Sequence, residues 1–415
     1  MTFEPQVKDP KMKTQPVKIA IFIILIQISF SETIYIPTDY PTIQDGITAS
    51  ADFDTIMVSP GEYFENINFL GKQIVVASHF IENDDPGFIE STIINGGALA
   101  SVVTFDSGET HFAHLLGFTI TNGMGNDVVW EFTGGGITCK NGSSPLLKNL
   151  IVSDNNSLGG GGIYIQDSSP DIQYCKILNN NSESTAGGIY CWESNLTISY
   201  TEISYNFAGW LAGGLFGGSN SVLNVSNLTV IGNISNDLSG GGIYTNNSSA
   251  FIVNTIAREN QPDEIASYND LGMYALEIDY SNVLNGEDGV VPWLNVDFVW
   301  GSHNQQDHPL FVDMHLQDFH LLPESPCIDA GDPNSPLDPD ESITDIGAYY
   351  FPQGIEGNPG DLNSDGQVNV LDIVRLVNII LGDPASDYEL WAGDINMDGD
   401  LNVLDIVQII NIIIG

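Results

Sequence analysis

Apolar and polar positions along the middle of this chain recur with a long period. A glycine run followed by an aliphatic residue appears five times, as Gly134-Gly135-Gly136-Ile137, Gly160-Gly161-Gly162-Ile163, Gly187-Gly188-Ile189, Gly213-Gly214-Leu215 and Gly240-Gly241-Gly242-Ile243. The aliphatic positions step by 26, 26, 26 and 28 residues. A polar column, Asn122, Asp154, Asn180, Asn206 and Asn233, steps by 32, 26, 26 and 27. Each period holds two or three short alternating segments separated by Gly, Asn and Ser, and none carries a helical pattern. Such a chain buries its apolar faces by stacking coil on coil, so the pattern predicts a parallel β-helix.

Stacking places like positions about 4.8 Å apart. The aliphatic residue after each glycine run should then form an inward ladder, and the turn asparagines should pass amide hydrogen bonds between coils. Cys139 and Cys191 fall in one inward column with Ile165 between them. At two coils' separation, about 9.6 Å, they are too far apart for a disulfide and read as core thiols. Strand alternation turns the residue after the ladder aliphatic outward, giving Thr138, Tyr164, Tyr190, Phe216 and Tyr244. This exposed stripe is either a β-forming, mutually stacked column or a platform for sugar rings, with Trp192 and Trp210 at its border.

The pattern changes after a Pro- and Gly-rich linker at 353–359. Asp361-Leu362-Asn363-Ser364-Asp365-Gly366-Gln367-Val368-Asn369-Val370-Leu371-Asp372 returns 33 residues later as Asp394-Ile395-Asn396-Met397-Asp398-Gly399-Asp400-Leu401-Asn402-Val403-Leu404-Asp405. Oxygen side chains at loop positions 1, 3, 5, 9 and 12, with glycine at 6 for the sharp turn, suit a hard seven-coordinate cation. The expected ligands are Asp361, Asn363, Asp365, Asn369 and Asp372, then Asp394, Asn396, Asp398, Asn402 and Asp405, with Gln367 and Asp400 contributing carbonyls. Two Ca2+ ions are implied. Position 12 is Asp rather than Glu, and no apolar helix precedes the first loop. Leu371 to Leu381 and Leu404 to Ile414 are apolar segments that form stable helices only when buried against each other or a partner.

Charge narrows the choice of partners. From Glu32 onward the chain carries 52 acidic and 6 basic residues, which leaves nucleic acid and other polyanions without a counterpart. Lysines up to Lys18, the apolar run Ile19 to Ile28 and Ser29-Phe30-Ser31 read together as a secretory signal over 1–31. The run falls short of the roughly 20 residues that span a bilayer. The expected mature chain is therefore secreted, extracellular or attached to a cell surface, with no membrane span.

Two segments resemble known families. Ile34-Tyr35-Ile36-Pro37, Tyr40-Pro41-Thr42-Ile43-Gln44 and Asp54-Thr55-Ile56-Met57-Val58-Ser59-Pro60-Gly61-Glu62-Tyr63 resemble the opening of secreted right-handed β-helix proteins of the pectin-lyase-like superfamily. Within the opening, Ile43, Ile47 and Ala51 lie on one face of a capping helix. Ser325-Pro326-Cys327-Ile328-Asp329-Ala330-Gly331-Asp332 and Asp345-Ile346-Gly347-Ala348-Tyr349-Tyr350 resemble their closing segment, so the likeness covers about 33–352. It implies a right-handed parallel β-helix of about ten coils over 32–352. The repeat columns also resemble those of polymorphic outer-membrane adhesins.

The tandem loops at 360–415 resemble a type I dockerin, a small α-helical calcium-binding domain. That resemblance implies a cohesin-like receptor contacted through loop positions 10 and 11, here Val370, Leu371, Val403 and Leu404. The near-identical halves would permit binding in two orientations related by a half turn.

Catalysis has less support in the sequence. Lyases resembling this fold use an Arg or Lys base, and the β-helix offers only Lys72, Lys140, Lys148, Lys176 and Arg258. The Arg-x-Lys pair of the related hydrolases is missing, and the seven histidines show no zinc spacing. The leading expectation is a docked β-helix with a carbohydrate- or surface-binding face, in an extracellular polysaccharide-degrading assembly. A lyase or glycoside hydrolase working in a groove of the helix, and a non-catalytic adhesin, are the alternatives.

Overall fold

A computed structural model describes residues 31–125, 133–236, 240–353, 358–363, 365–396 and 399–414. The signal reading at 1–31 and the metal ligand Asp398 therefore lie outside the described residues, apart from Ser31. The chain winds into a right-handed β-solenoid of about ten turns, followed by a few helices.

Three parallel ladders form its walls. The first runs from Thr33–Ile36 to Val296–Trp300, the second from Gly61–Phe64 to Asn282–Val283, and the third from Ile67–Asn68 to Val290–Pro292. Two ten-residue strands, Asn195–Ser204 and Val222–Ile231, bend through a corner and serve both the first and second ladders. The inward ladder after the glycine runs is present in full register, Ile137, Ile163, Ile189, Leu215, Ile243 and Ile265. All are at most 1% exposed, within one core that runs the length of the solenoid. Each such burial contributes about 1.5–3 kcal/mol. Cys139, Ile165 and Cys191 are successive register partners, and all four cysteines are free and buried.

The glycine runs mark a close approach of backbones. A Cβ on Gly161 would sit 2.5 Å from the carbonyl oxygens of Asn181 and Gly187. This crowding arises because a fourth, short ladder, Asn156–Gly159, Asn181–Thr185, Phe207–Ala208 and Ile234–Ser235, crosses the corner just before the third ladder.

Buried amides connect the coils between the second and third ladders. Nδ2 of Asn155 donates to Oδ1 of Asn180 (3.0 Å), Asn180 to Asn206 (3.0 Å), Asn206 to Asn233 (3.0 Å) and Asn233 to Asn260 (2.9 Å). The expected column is thereby corrected at two places. Asn155, and not Asp154, is the ladder member, because this coil's step is 25 residues and Asp154 takes the left-handed turn position (φ 56°). Asn122 instead donates to Asn95 on the exterior. The ladder ends on a buried carboxylate, Glu264, which accepts from Asn260 N (3.1 Å) and Nδ2 (2.6 Å). A second column, of serines, joins the coils between the third and first ladders. There the backbone N–H of Ser168 donates to Ser194 Oγ, Ser194 to Ser221 and Ser221 to Ser248, at 3.1–3.2 Å.

A helix covers the N-terminal end of the solenoid. The helix Ile43–Ala49 buries Ile43 and Ile47 over the first coil, with Thr42 accepting from Asp45 N as its N-cap. Ala51 is exposed beyond the helix, whose last turn ends at the buried Ser50. At the other end, the segment after Trp300 forms the hairpin Phe311–Asp313 and Asp318–Leu321, then turns back along the second ladder. Phe319, Cys327 and Ile346 pack on Ile231 and Ile256, and the Tyr349 hydroxyl donates to buried Glu202 (2.6 Å).

Two buried carboxylates set the solenoid's pH dependence. Burial pushes Glu264 up to about 7, against the hydrogen bonds from Asn260. Burial also pushes Asp345 up to about 7, helped by the charges of Asp338 and Asp329. A folded-state pKa above the unfolded value means that the native state holds more protons, so stability falls as pH rises from about 4 to about 7. Each group contributes at most about 3–4 kcal/mol to this loss. The solenoid should therefore melt at a higher temperature at pH 5.5 than at pH 8, and Glu264→Gln should shrink the difference without removing it, since Asp345 remains. Calorimetric melting across that range checks both.

Candidate calcium and docking site

Residues 358–414 contain three helices, Val370–Ile380, Asp387–Gly393 and Val403–Ile414. They surround a small core of Leu362, Leu376, Ala392 and Ile409, flanked by Tyr388 and Trp391. The middle helix is locked by Arg375, whose Nε and Nη2 donate to Glu389 (2.5 and 3.0 Å). That pairing pulls the Glu389 carboxyl down to about 2. Tyr388 donates its hydroxyl to the Asp361 carbonyl (2.8 Å), tying this helix to the first loop.

The two loops repeat one hydrogen-bond pattern. Gly366 N donates to Asp361 Oδ2 (2.7 Å), and Gly399 N to Asp394 Oδ2 (2.9 Å). Asn369 N donates to Asp372 Oδ2 (2.8 Å), and Asn402 N to Asp405 Oδ2 (2.9 Å). Asn363 N reaches Asp372 Oδ1 at 3.1 Å, and Asn396 N reaches Asp405 Oδ1 at 3.4 Å. Gly366 and Gly399 hold φ of 86° and 84°, the left-handed turn that a side chain resists. Asp372 and Asp405 are fully buried and Asp361 is 2% exposed. Among the described residues no three His, Cys, Asp or Glu side chains form a metal-holding group by themselves. A cation here draws on asparagine and backbone oxygens as well, the all-oxygen set that calcium takes. Buried acids wrapped in N–H donors around a glycine turn fit that ion.

Beyond each loop, a matched apolar triad faces outward. Val370, Leu371 and Val374 are 63, 59 and 53% exposed, and Val403, Leu404 and Val407 are 65, 57 and 50% exposed. Spacing i, i+1, i+4 places each triad on one side of its helix. The resemblance to a dockerin points to positions 10 and 11, and the valines one turn later were not named individually. Their signal was the continued identity of the two copies.

The aromatic column needs a correction. Its rings do leave the solenoid core and do stack: Tyr164 on Tyr190 at 5.0 Å, Tyr190 on Phe216 at 5.0 Å, and Phe216 on Tyr244 at 6.0 Å between centroids. They are not an exposed stripe, since Tyr164, Phe216 and Tyr244 are only 4–5% exposed. Ala186, Leu211 and Ala212, in the segments just after strands of the fourth ladder, cover them in a second small apolar cluster with Trp192 and Tyr268. No ring face of Tyr164, Phe216 or Tyr244 is open to a sugar.

The cations of the solenoid are engaged as well. Lys72 Nζ donates to the carbonyls of Ile47, Thr48 and Ser50 at the end of the capping helix. Arg258 is buried and donates to Asn282 Oδ1, Gln306 O and Asp307 O. Lys140, Lys148 and Lys176 lie 5.0–5.6 Å over the rings of Tyr164, Tyr174 and Tyr349. His79, His303 and His320 pair with Glu82, Asp279 and Asp318.

Comparison with known proteins agrees with this division. The family model described as right handed beta helix region matches residues 79–261, and that described as dockerin type I domain matches residues 359–414. Among curated proteins nothing matches. A solved structure, that of pectate lyase Pel9A, aligns over 79% of this chain and 98% of its own, with a TM-score of 0.42 and 13% identity. No helix among the described residues is long and apolar enough to cross a membrane. The chain is a right-handed β-helix protein carrying a C-terminal type I dockerin domain.

Proposed function

We propose that this protein is a secreted, docked component of an extracellular polysaccharide-degrading assembly. Its C-terminal domain holds two calcium ions and seats on a cohesin-like receptor, and its β-helix presents a carbohydrate- or surface-binding face. The observation that carries this reading is the duplicated loop and helix, each copy offering the same exposed apolar triad beside a buried position-12 carboxylate held by backbone N–H groups. Bound calcium supplies the positive charge that lets those carboxylates converge. Asp361, Asn363, Asp365, Asn369 and Asp372, with the Gln367 carbonyl, would hold the first ion. Asp394, Asn396, Asp398, Asn402 and Asp405, with the Asp400 carbonyl, would hold the second. The protein's part is to aim these oxygens through backbone N–H groups and to hold the two helices so that each presents its apolar triad.

A half-turn relation between the two near-identical copies would make either triad a complete contact surface. Binding of the full chain to type I cohesin domains, measured by calorimetry in calcium and in EGTA, tests the reading. Val370→Asp with Leu371→Asp should weaken binding less than about tenfold, as should Val403→Asp with Leu404→Asp. All four together should abolish it. Binding that survives EGTA or the fourfold variant would sink the proposal.

A further inference from the structure

Burial of Tyr164, Phe216 and Tyr244 leaves the aromatic column without a continuous sugar-binding face, and the solenoid offers another. At its C-terminal end the described residues form a cleft of about 380 Å3, lined by Asn285, Glu287, Asp288, Trp300, Asn304 and Gln306 among others. A second cleft of about 210 Å3 adjoins it through Asn285 and Asp288. The larger lies within the range of small-ligand pockets. We propose that this double cleft binds a neutral, hydroxyl-rich oligosaccharide. The inference rests on the carbohydrate-face reading above and gives that face a location and a ligand class.

Three observations support it. Trp300 ends the last strand of the first ladder and packs on the solenoid core, beside Phe298 at 6.5 Å, which holds its indole in place as one wall. An indole face suits the apolar CH side of a pyranose. Asn304 is fixed by its own bonds, Nδ2 to the carbonyls of Ile278 and Gly301 and Oδ1 from Ser281 N, so it shapes the cleft. By contrast, the side chains of Asn285, Glu287, Asp288 and Gln306 make no hydrogen bond to other described residues. Two carboxylates and two amides satisfied by solvent can exchange water for sugar hydroxyls at little cost, as acceptors and donors together.

Charge selects the class of sugar. Glu287 and Asp288 line the larger cleft, Glu259, Asp263 and Glu264 the smaller, and the nearby Arg258 spends its guanidinium on internal acceptors. A uronate or a sulfated sugar would meet like charge on all sides. The ligand is therefore an uncharged chain of hexoses or pentoses.

The test is calorimetric titration of the full chain, with calcium, against cellohexaose, xylohexaose, mannohexaose and hexagalacturonate. One of the neutral three should bind. Glu287→Ala with Gln306→Ala, both exposed positions, should weaken it about tenfold or more, and Trp300→Phe, which keeps an aromatic on the core, should weaken it as well. Equal binding by wild type and these variants would overturn the site while leaving the carbohydrate-face reading intact. Preference for hexagalacturonate would overturn the ligand class. Retention of no soluble or insoluble glycan by wild type would remove the carbohydrate-face reading, and this site with it.

Discussion

With Asp372 and Asp405 both replaced by alanine, residues 358–414 should be unfolded even at millimolar calcium, while the solenoid keeps its melting temperature. Each carboxylate is fully buried and closes its loop onto the start of its helix. Asp372 accepts from Asn363 N and Asn369 N, and Asp405 from Ile395 N, Asn396 N and Asn402 N. Asp372 also completes the capping box of Val370–Ile380. Removing the carboxylate strands buried N–H groups at about 1–3 kcal/mol each, and takes about 1 kcal/mol of capping with it. It also removes the position-12 ligand, on which the ion's contribution to folding depends. A domain whose core is four fully buried apolar side chains has only a few kcal/mol to lose. Limited proteolysis should show rapid loss of the C-terminal fragment and a stable solenoid. A protease-resistant C-terminus in this variant would show that the loops do not depend on their carboxylates.

A comparable loss is expected inside the solenoid for Asn206→Ala. Asn206 Oδ1 accepts from Asn180 N (2.9 Å) and Asn180 Nδ2 (3.0 Å), and its Nδ2 donates to Ile177 O (2.8 Å) and Asn233 Oδ1 (3.0 Å). Alanine leaves those partners buried between coils where water does not reach, at about 3–5 kcal/mol in total. Asp154→Ala, on the exposed left-handed turn beside the ladder, should change stability by less than about 1 kcal/mol beyond its turn preference. Denaturant unfolding of the two variants separates an amide ladder from a column of turn residues. Equal midpoints would contradict the ladder.

Much of the solenoid was legible because a stacked coil repeats its own register. The inward ladder from Ile137 to Ile243 and the core thiols at Cys139 and Cys191 follow from counting alone, since every coil must place an aliphatic at the same height. Counting failed where coils differ in length, which is how Asp154 displaced Asn155. The aromatic column failed for another reason. Alternation fixes which way Tyr164 and Phe216 leave the strand, but whether they meet water depends on Ala186 and Ala212, which lie in the turns after the fourth ladder's strands. The duplicated twelve-residue loops stood out in the sequence because a hard cation dictates oxygen spacing within that length. The middle helix and its Arg375–Glu389 lock did not, since they serve local packing alone.

Calcium titration of the full chain by calorimetry, followed by EGTA with protease challenge, tests the central claim most directly. The account requires two ions per chain, heat lost on chelation, and a C-terminal domain that becomes cleavable only once calcium is withdrawn. A chain that takes up no calcium, or whose residues 358–414 resist protease equally with and without it, would contradict a metal-dependent docking domain.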